Sequence, residues 1–320
     1  MKNQELKELY AFTKASMTEL FSSSNFKEKE NYWLDDSHIH YPQINNLNDL
    51  ERMLKSITTK LGRSALTNWG KNVREVLKYH NFVDMIKSYS ISNKNCSIQN
   101  KGVVSKINYE GNETEIYPSQ EIRTDSHLHI TAEGCPSFIE EGLDPRKTVE
   151  LIHDLGGIAI VEHPTTKCHP ILQYIQTTEE DDKLTLEVME MADAAEIFNS
   201  FNTLWMHRSN ARAKKFVNEY NSCNPQNKIA GIAGSDNHYG LDGKFTNYLV
   251  FKNVGRTGIY LPKHDNKSLN DKEIIEQKRK DLKDGNFKTL ENYTGPITFF
   301  MTMVPPIAAR KLGINMDSIS

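Results

Sequence analysis

The chain has 320 residues, 38% of them hydrophobic and 25% charged, with a formal net charge of -3 at pH 7. That balance belongs to a soluble globular protein with a core large enough to fold without disulfides, and so small a net charge excludes a general attraction for nucleic acid or membrane. The four cysteines, Cys96, Cys135, Cys168 and Cys223, lie far apart with no CxxC pair, which predicts a reducing compartment rather than a disulfide framework.

In chain order, residues 1–30 read as an amphipathic helix and a polar linker, without the unbroken apolar run of a secretory signal. Tyr32-Trp33-Leu34 opens a strand that ends in Asp36-Ser37-His38-Ile39-His40. Leu47 to Leu61 has helical spacing, Ser64 to Thr67 is a short strand, Asn72 to Ser88 a helix, and Asn93 to Glu115 a polar loop or hairpin. Glu121 to Thr131 is expected to be one strand carrying a second pair, Asp125-Ser126-His127-Leu128-His129. Residues i and i+2 of a strand face the same side, so each pair presents two imidazoles to one place. Asp144 to Leu155 is a helix with Pro145 in its first turn, ended by Gly156-Gly157. Ile158 to Val161 is a buried strand leading into Glu162-His163-Pro164. A helix over Leu184 to Ala192, a strand over Ala195 to Phe198 and a helix over Leu204 to Tyr220 follow. The strand Ile229 to Ala233 then runs into Gly234-Ser235-Asp236-Asn237-His238. Gly295 to Ala309 is apolar, but Pro296, Pro305 and Pro306 interrupt it, which suits packing on the domain better than spanning a bilayer.

Strands alternating with helices predict parallel strands joined by crossover helices, with the chemistry at the strands' C-terminal ends. Five such ends carry candidate ligands: His38 and His40; Glu121 with His127 or His129; His163; Glu196 and Asn199; and Asp236 and His238. Neutral imidazoles converging beside carboxylates suit a divalent cation. His80, His153, His169, His207 and His264 have no such context and read as ordinary surface residues, while Cys135 and Cys168 read as small buried hydrophobes.

The ordered set DSHIH, EIRTDSHLH, GGIAIVEHP, EIFN and GSDNH resembles the PHP (polymerase and histidinol phosphatase) superfamily over roughly residues 32 to 250. The resemblance implies an α/β fold, a distorted (β/α)7 barrel. It also implies one metal ion on His38, His40, Glu121 and Asp236. Glu121 would bridge to a second ion held by His163 and by either His127 or His129, a choice the motifs leave open. The family's Thr-Asp-His segment is replaced here by Thr67-Asn68-Trp69, and Trp69 cannot coordinate a metal. Two divalent ions (Mn, Zn or Fe) are therefore expected rather than three, with His238 free to act on substrate.

The implied function is a metal-dependent phosphoesterase, with Asp236 and His238 catalytic. Asn199, His238 and the helix-turn pair Arg208 and Arg212 would contact a small phosphorylated substrate. Nucleic acid is not expected as a partner, nor a membrane, and the location is expected to be cytoplasmic. Competing readings are a dinuclear hydrolase of an amide, ester or lactone, and a degenerate PHP domain kept for binding. In a different register DSHLH would be the first barrel strand, but GGIAIVEHP fits the later motif better. The expected organisation is an N-terminal segment 1–30, a hydrolase domain 31–288 and a C-terminal extension 289–320.

Overall fold

A computed structural model of the chain describes residues 28–29, 31–40, 44, 46–69, 76–169, 173–200, 209–236, 254, 257–264 and 268–292; the side chains of residues 28–29, 40, 68–69, 76–78, 167–169, 173–176 and 209, among them His40, Asn68, Trp69, Cys168 and His169, lie outside that description. One twelve-stranded sheet curls into a nearly closed barrel. Nine of its strands run in succession around the barrel: β2 (Tyr32–His40), β3 (Arg63–Trp69), β6 (Asn112–Arg123), β7 (His129–Glu133), β8 (Ile158–Val161), β11 (Ala194–Asn199), β12 (Ala230–Gly234), β13 (Gly258–Pro262) and β14 (Lys288–Leu290). The parallel pairs are β2–β3, β3–β6, β8–β11 and β11–β12, and β7 runs antiparallel between β6 and β8. Six strands therefore share one direction, β7 opposes them, and β13 joins β2 antiparallel from the other side.

Outside the barrel, helices cover the sheet. The first pair, α1 (Leu47–Lys60) and α2 (Val76–Ser92), buries Leu50, Met53, Leu54, Ile57, Phe82 and Ile86. On the other side α3 (Pro145–Asp154), α4 (Glu179–Met191) and α5 (Ser209–Cys223) bury Val149, Ile152, Val188 and Val217. The starts are well signalled. Asn46 accepts from the Asp49 amide, Asp144 caps α3 ahead of Pro145, and Thr178 forms a capping box with Asp181.

The lumen follows from register. Directly paired residues share a sheet face, so Ala65, Tyr117, Ile160, Ala194 and Thr131 face the same side as Glu121. That side is closed at the strands' N-terminal end by α6 (Asp271–Lys283), which contributes Ile274, Ile275, Leu282 and the fully buried Lys278. At the opposite end the barrel is stitched shut between β12 and β2. The Asp236 amide donates to the His38 carbonyl at 2.7 Å, and the Ser235 amide donates to Asp36 Oδ1 at 3.1 Å.

Several expectations need correction. Glu121 to Thr131 is a hairpin and not one strand, because Thr124 folds the chain back: its amide and hydroxyl both donate to the Leu128 carbonyl. Asp125 and Ser126 then form the turn, as their side chains favour. The polar stretch after residue 93 takes the hairpin form of the two expected, with the strands β4 (Cys96–Asn100) and β5 (Ser105–Tyr109), and β9 (Thr166–His169) pairs with β10 (Gln173–Gln176) in a second hairpin. Glu28–Lys29 forms a short strand, β1, against β2 where linker was expected. The N-terminal helix and the C-terminal extension lie almost entirely outside the described residues, as do Arg208 and His238. Among the described residues no helix is long and apolar enough to cross a membrane.

Candidate metal centre

The strand directions explain how distant residues meet. The co-directional strands deliver His38, Glu121, Glu196 and Asp236 at their C-terminal ends, and Glu162 and His163 follow directly after β8. The reversed strand β7 begins at the same rim, so its first residue, His129, arrives there too. Arg123 pairs with His129 across the hairpin, which puts His129 on the Glu121 face, and His129 Nδ1 is in close hydrogen-bonding contact with Glu121 Oε1. His127 instead occupies the turn, with a left-handed φ of 65°.

Glu121, His129 and His163 are buried, and one ligand atom from each lies within 4.8 Å of the others. His163 Nδ1 faces the Thr166 carbonyl at 3.4 Å, and its Nε2 faces Glu121 Oε1 at 3.6 Å. An imidazole that donates Nδ1–H to a carbonyl presents Nε2 as an acceptor, which is the form a metal ligand needs. His129 Nε2 is buried with no hydrogen-bond partner among the described residues.

His38 stands between two acidic pairs. Its Nε2 lies 3.8 Å from Glu121 and 3.6 Å from Asp236, while its Nδ1 lies 3.1 Å from Glu162 and 3.4 Å from Glu196. His38, Glu162 and Glu196 form a second group able to hold a cation. Asn199 ties the acids together, its Nδ2 donating to Glu196 Oε2 and Asp236 Oδ2 at 3.0 Å each. Its own backbone amide and carbonyl are held by Asn210. Gly234 is required by close approach, since a Cβ there would lie 2.5 Å from Glu196 Oε1 and 2.9 Å from His38 Cβ.

Three of the four non-glycine residues with positive φ among the described residues, His127, His163 and Asp236, lie at this rim. Left-handed backbone at such residues costs about 1–3 kcal/mol each and persists where surrounding structure enforces it, as functional sites do.

Asp36, Glu121, Glu162, Glu196 and Asp236 are all buried here against three imidazoles. The excess of negative charge shifts the pKa values of the site. Burial, reinforced by Glu196, pushes Glu162 up to about 8. For His163 burial acts downward, but Glu121, Glu196 and Asp236 outweigh it and raise the imidazole to about 9. His38 is likewise held well above its ordinary value against its burial, by Glu162 and Asp236. Burial raises Asp36 to about 7 despite hydrogen bonds from Ser235 and His38. Glu121 goes down: burial opposes ionisation, but His129, His163 and His38 together hold it well below the usual range. A buried anionic pocket with converging imidazoles fits divalent cations, which would relieve the repulsion.

A pH dependence follows. Asp36, Glu162 and His163 all have folded pKa values above their ordinary 3.8, 4.5 and 6.5. Each then favours the folded state at low pH and loses that contribution as pH rises through its folded value. The metal-free protein is expected to lose at least ~4 °C in Tm between pH 5.5 and 8.5, whereas saturating divalent metal removes the slope. A metal-free Tm that is flat or rising over that window contradicts this picture.

Arg212 Nη2 donates to Asp182 at 2.9 Å and to the Thr177 carbonyl at 3.4 Å, while its Nη1 has no partner among the described residues. His153 and His264 pair with Asp193 and Asp281, at 3.0 and 2.8 Å. Glu162 and Asp36 were not anticipated as site residues. The signal for Glu162 was its place beside His163 at a strand end.

No family model matches the chain, and no curated protein does. Among solved structures it is similar to the lesion-specific endonuclease PfuEndoQ from Pyrococcus furiosus, at 13% identity over 80% of this chain and 57% of that one, with a TM-score of 0.42. It is also similar to Endonuclease Q in complex with a 27-mer duplex substrate bearing an abasic lesion, at 10% identity over 76% of this chain and 56% of that one, TM-score 0.38. The chain thus spans a little over half the length of these solved chains. Both of these neighbours are endonucleases, one of them holding a duplex, where the sequence had set nucleic acid aside in favour of a small phosphorylated substrate. The charge argument behind it was too coarse: a net charge of -3 averages the whole surface and says nothing about one groove.

Proposed function

We propose that this chain is a metal-dependent hydrolase of phosphoester bonds, with the phosphodiester linkage of nucleic acid as its substrate class. The observation that carries the reading is the buried convergence of Glu121, His129 and His163 beside His38 and Asp236 at one rim of the barrel. Two divalent ions are proposed, the first held by Glu121, His129 and His163. The second would be held by His38, Asp236 and Glu121, with His40 as the resemblance implies. When bound, such ions polarise a phosphoryl oxygen and make water nucleophilic near neutral pH.

The remaining chemistry belongs to the chain's own residues. Glu162 and Glu196 accept from His38 Nδ1, which leaves Nε2 facing Glu121 and Asp236. Asn199 fixes Glu196 and Asp236 against each other, so the carboxylates keep their places when a substrate enters. The Thr166 carbonyl holds the His163 ring.

The test is elemental analysis of chain purified without chelator, followed by incubation with bis(p-nitrophenyl) phosphate and with single- and double-stranded oligonucleotides in Mn, Zn or Mg. Bound metal with chelator-sensitive diester cleavage is the expected result. Absence of cleavage in every metal, or cleavage of amides and esters alone, rejects the reading.

A further inference from the structure

We infer that Arg123 is the residue that takes hold of the substrate's phosphoryl oxygens, an assignment that rests on the phosphoester reading of the site. Arg123 ends β6, two residues beyond Glu121 on the same strand, and successive same-side residues of a strand face together. It pairs directly with His129, whose ring is part of the Glu121 group. The two registers place Arg123 on the face that carries the candidate ligands, on the outer side of Glu121 toward the mouth of the barrel.

Its lack of a partner separates it from comparable arginines. Five arginines among the described residues are wholly or partly buried: Arg63, Arg123, Arg146, Arg212 and Arg279. Four of these are matched with carboxylates, namely Arg63 with Glu115, Arg146 with Glu187, Arg212 with Asp182, and Arg279 with Asp193 and Glu276. Arg123 is half-buried, and its side chain has no hydrogen bond or ion pair with any described residue. Withdrawing a guanidinium from water without an acid is unfavourable unless a ligand supplies the anion. It stands beside a cluster so acidic that an incoming phosphate meets repulsion from every side except the metals. A planar five-donor fork at the mouth supplies a second attraction and matches two phosphoryl oxygens at once. Of the two arginines that sequence spacing pointed to, Arg208 lies outside the described residues and Arg212 is ion-paired with Asp182.

The test uses orthophosphate binding to the metal-loaded protein, measured by equilibrium dialysis, alongside diester hydrolysis. Arg123→Ala is expected to keep the wild-type metal content while weakening phosphate binding and raising KM by about 10- to 100-fold, the range for a lost charge-assisted hydrogen bond. Arg123→Lys should recover part of the phosphate affinity, because the charge remains and the fork does not. Wild-type phosphate affinity in Arg123→Ala overturns the inference, as does the absence of phosphate binding by the wild type. Phosphate binding that depends on Arg123 in a protein that cleaves no ester would uphold the inference and reject the hydrolase reading.

Discussion

Replacing Glu121 with alanine is expected to lower diester hydrolysis by roughly 10³-fold or more and to remove at least one equivalent of bound metal per chain. Glu121 is the residue the others share, contacting His129 and His163 through Oε1 and His38 through Oε2. Losing an outer partner of a ligand typically costs 10–100-fold in affinity or activity, and a residue common to both proposed ions should exceed that. Asn199→Ala is the internal comparison, since it touches Glu196 and Asp236 without belonging to either candidate group, and it should fall within the outer-partner range. The metal-free Glu121→Ala protein should still fold, because the substitution removes one anion from an overcrowded pocket. A variant that keeps its metal and stays within tenfold of wild-type activity would refute the assignment of Glu121 as the shared ligand.

How much of this was legible in the sequence differs by element. His38, Glu121, His163 and Asp236 were readable because each is punctuated locally: by an alternating strand, by Gly-Gly before an apolar run, or by Gly-Ser-Asp after one. The second histidine pair misled because DSHLH has the same spelling as DSHIH and a different backbone. Asp36-Ser37-His38 continues β2, whereas Asp125-Ser126-His127 turns, and only pairing with β8 on one side and β6 on the other holds the reversed β7 in place. That pairing is tertiary information. The same is true of Glu162, which enters the site because the chain turns at His163, where φ is 28°, and of Arg212, whose partner Asp182 lies in the first turn of another helix. The strand β13 and helix α6 carried no motif at all, yet α6 closes the barrel.

Lys278 gives the second large effect. It projects from α6 into the lumen, fully buried, and its ammonium meets Asp35 at 2.9 Å, Glu133 in close contact, Ser37 Oγ at 3.0 Å and the Tyr117 hydroxyl at 2.9 Å. The Tyr117 hydroxyl in turn donates to Asp35 at 2.8 Å. Burial already raises the Glu133 carboxyl, with Lys278 opposing that rise and Asp35 adding to it. Lys278→Met would keep the volume and leave two buried carboxylates without their cation. The expected loss is about 3–5 kcal/mol in urea unfolding at pH 7.5, the usual consequence of removing one member of a buried pair. Protons can stand in for the missing ammonium, so the loss should shrink at pH 5. Adding Glu133→Gln and Asp35→Asn should restore more than half of it, because no uncompensated charge then remains. A loss below ~1 kcal/mol at pH 7.5 would mean that water reaches these acids and the lumen is not sealed by α6. If the expected loss is found, the barrel carries its own cation at the closed end, and the acidic rim is left as the end where cations must come from solution.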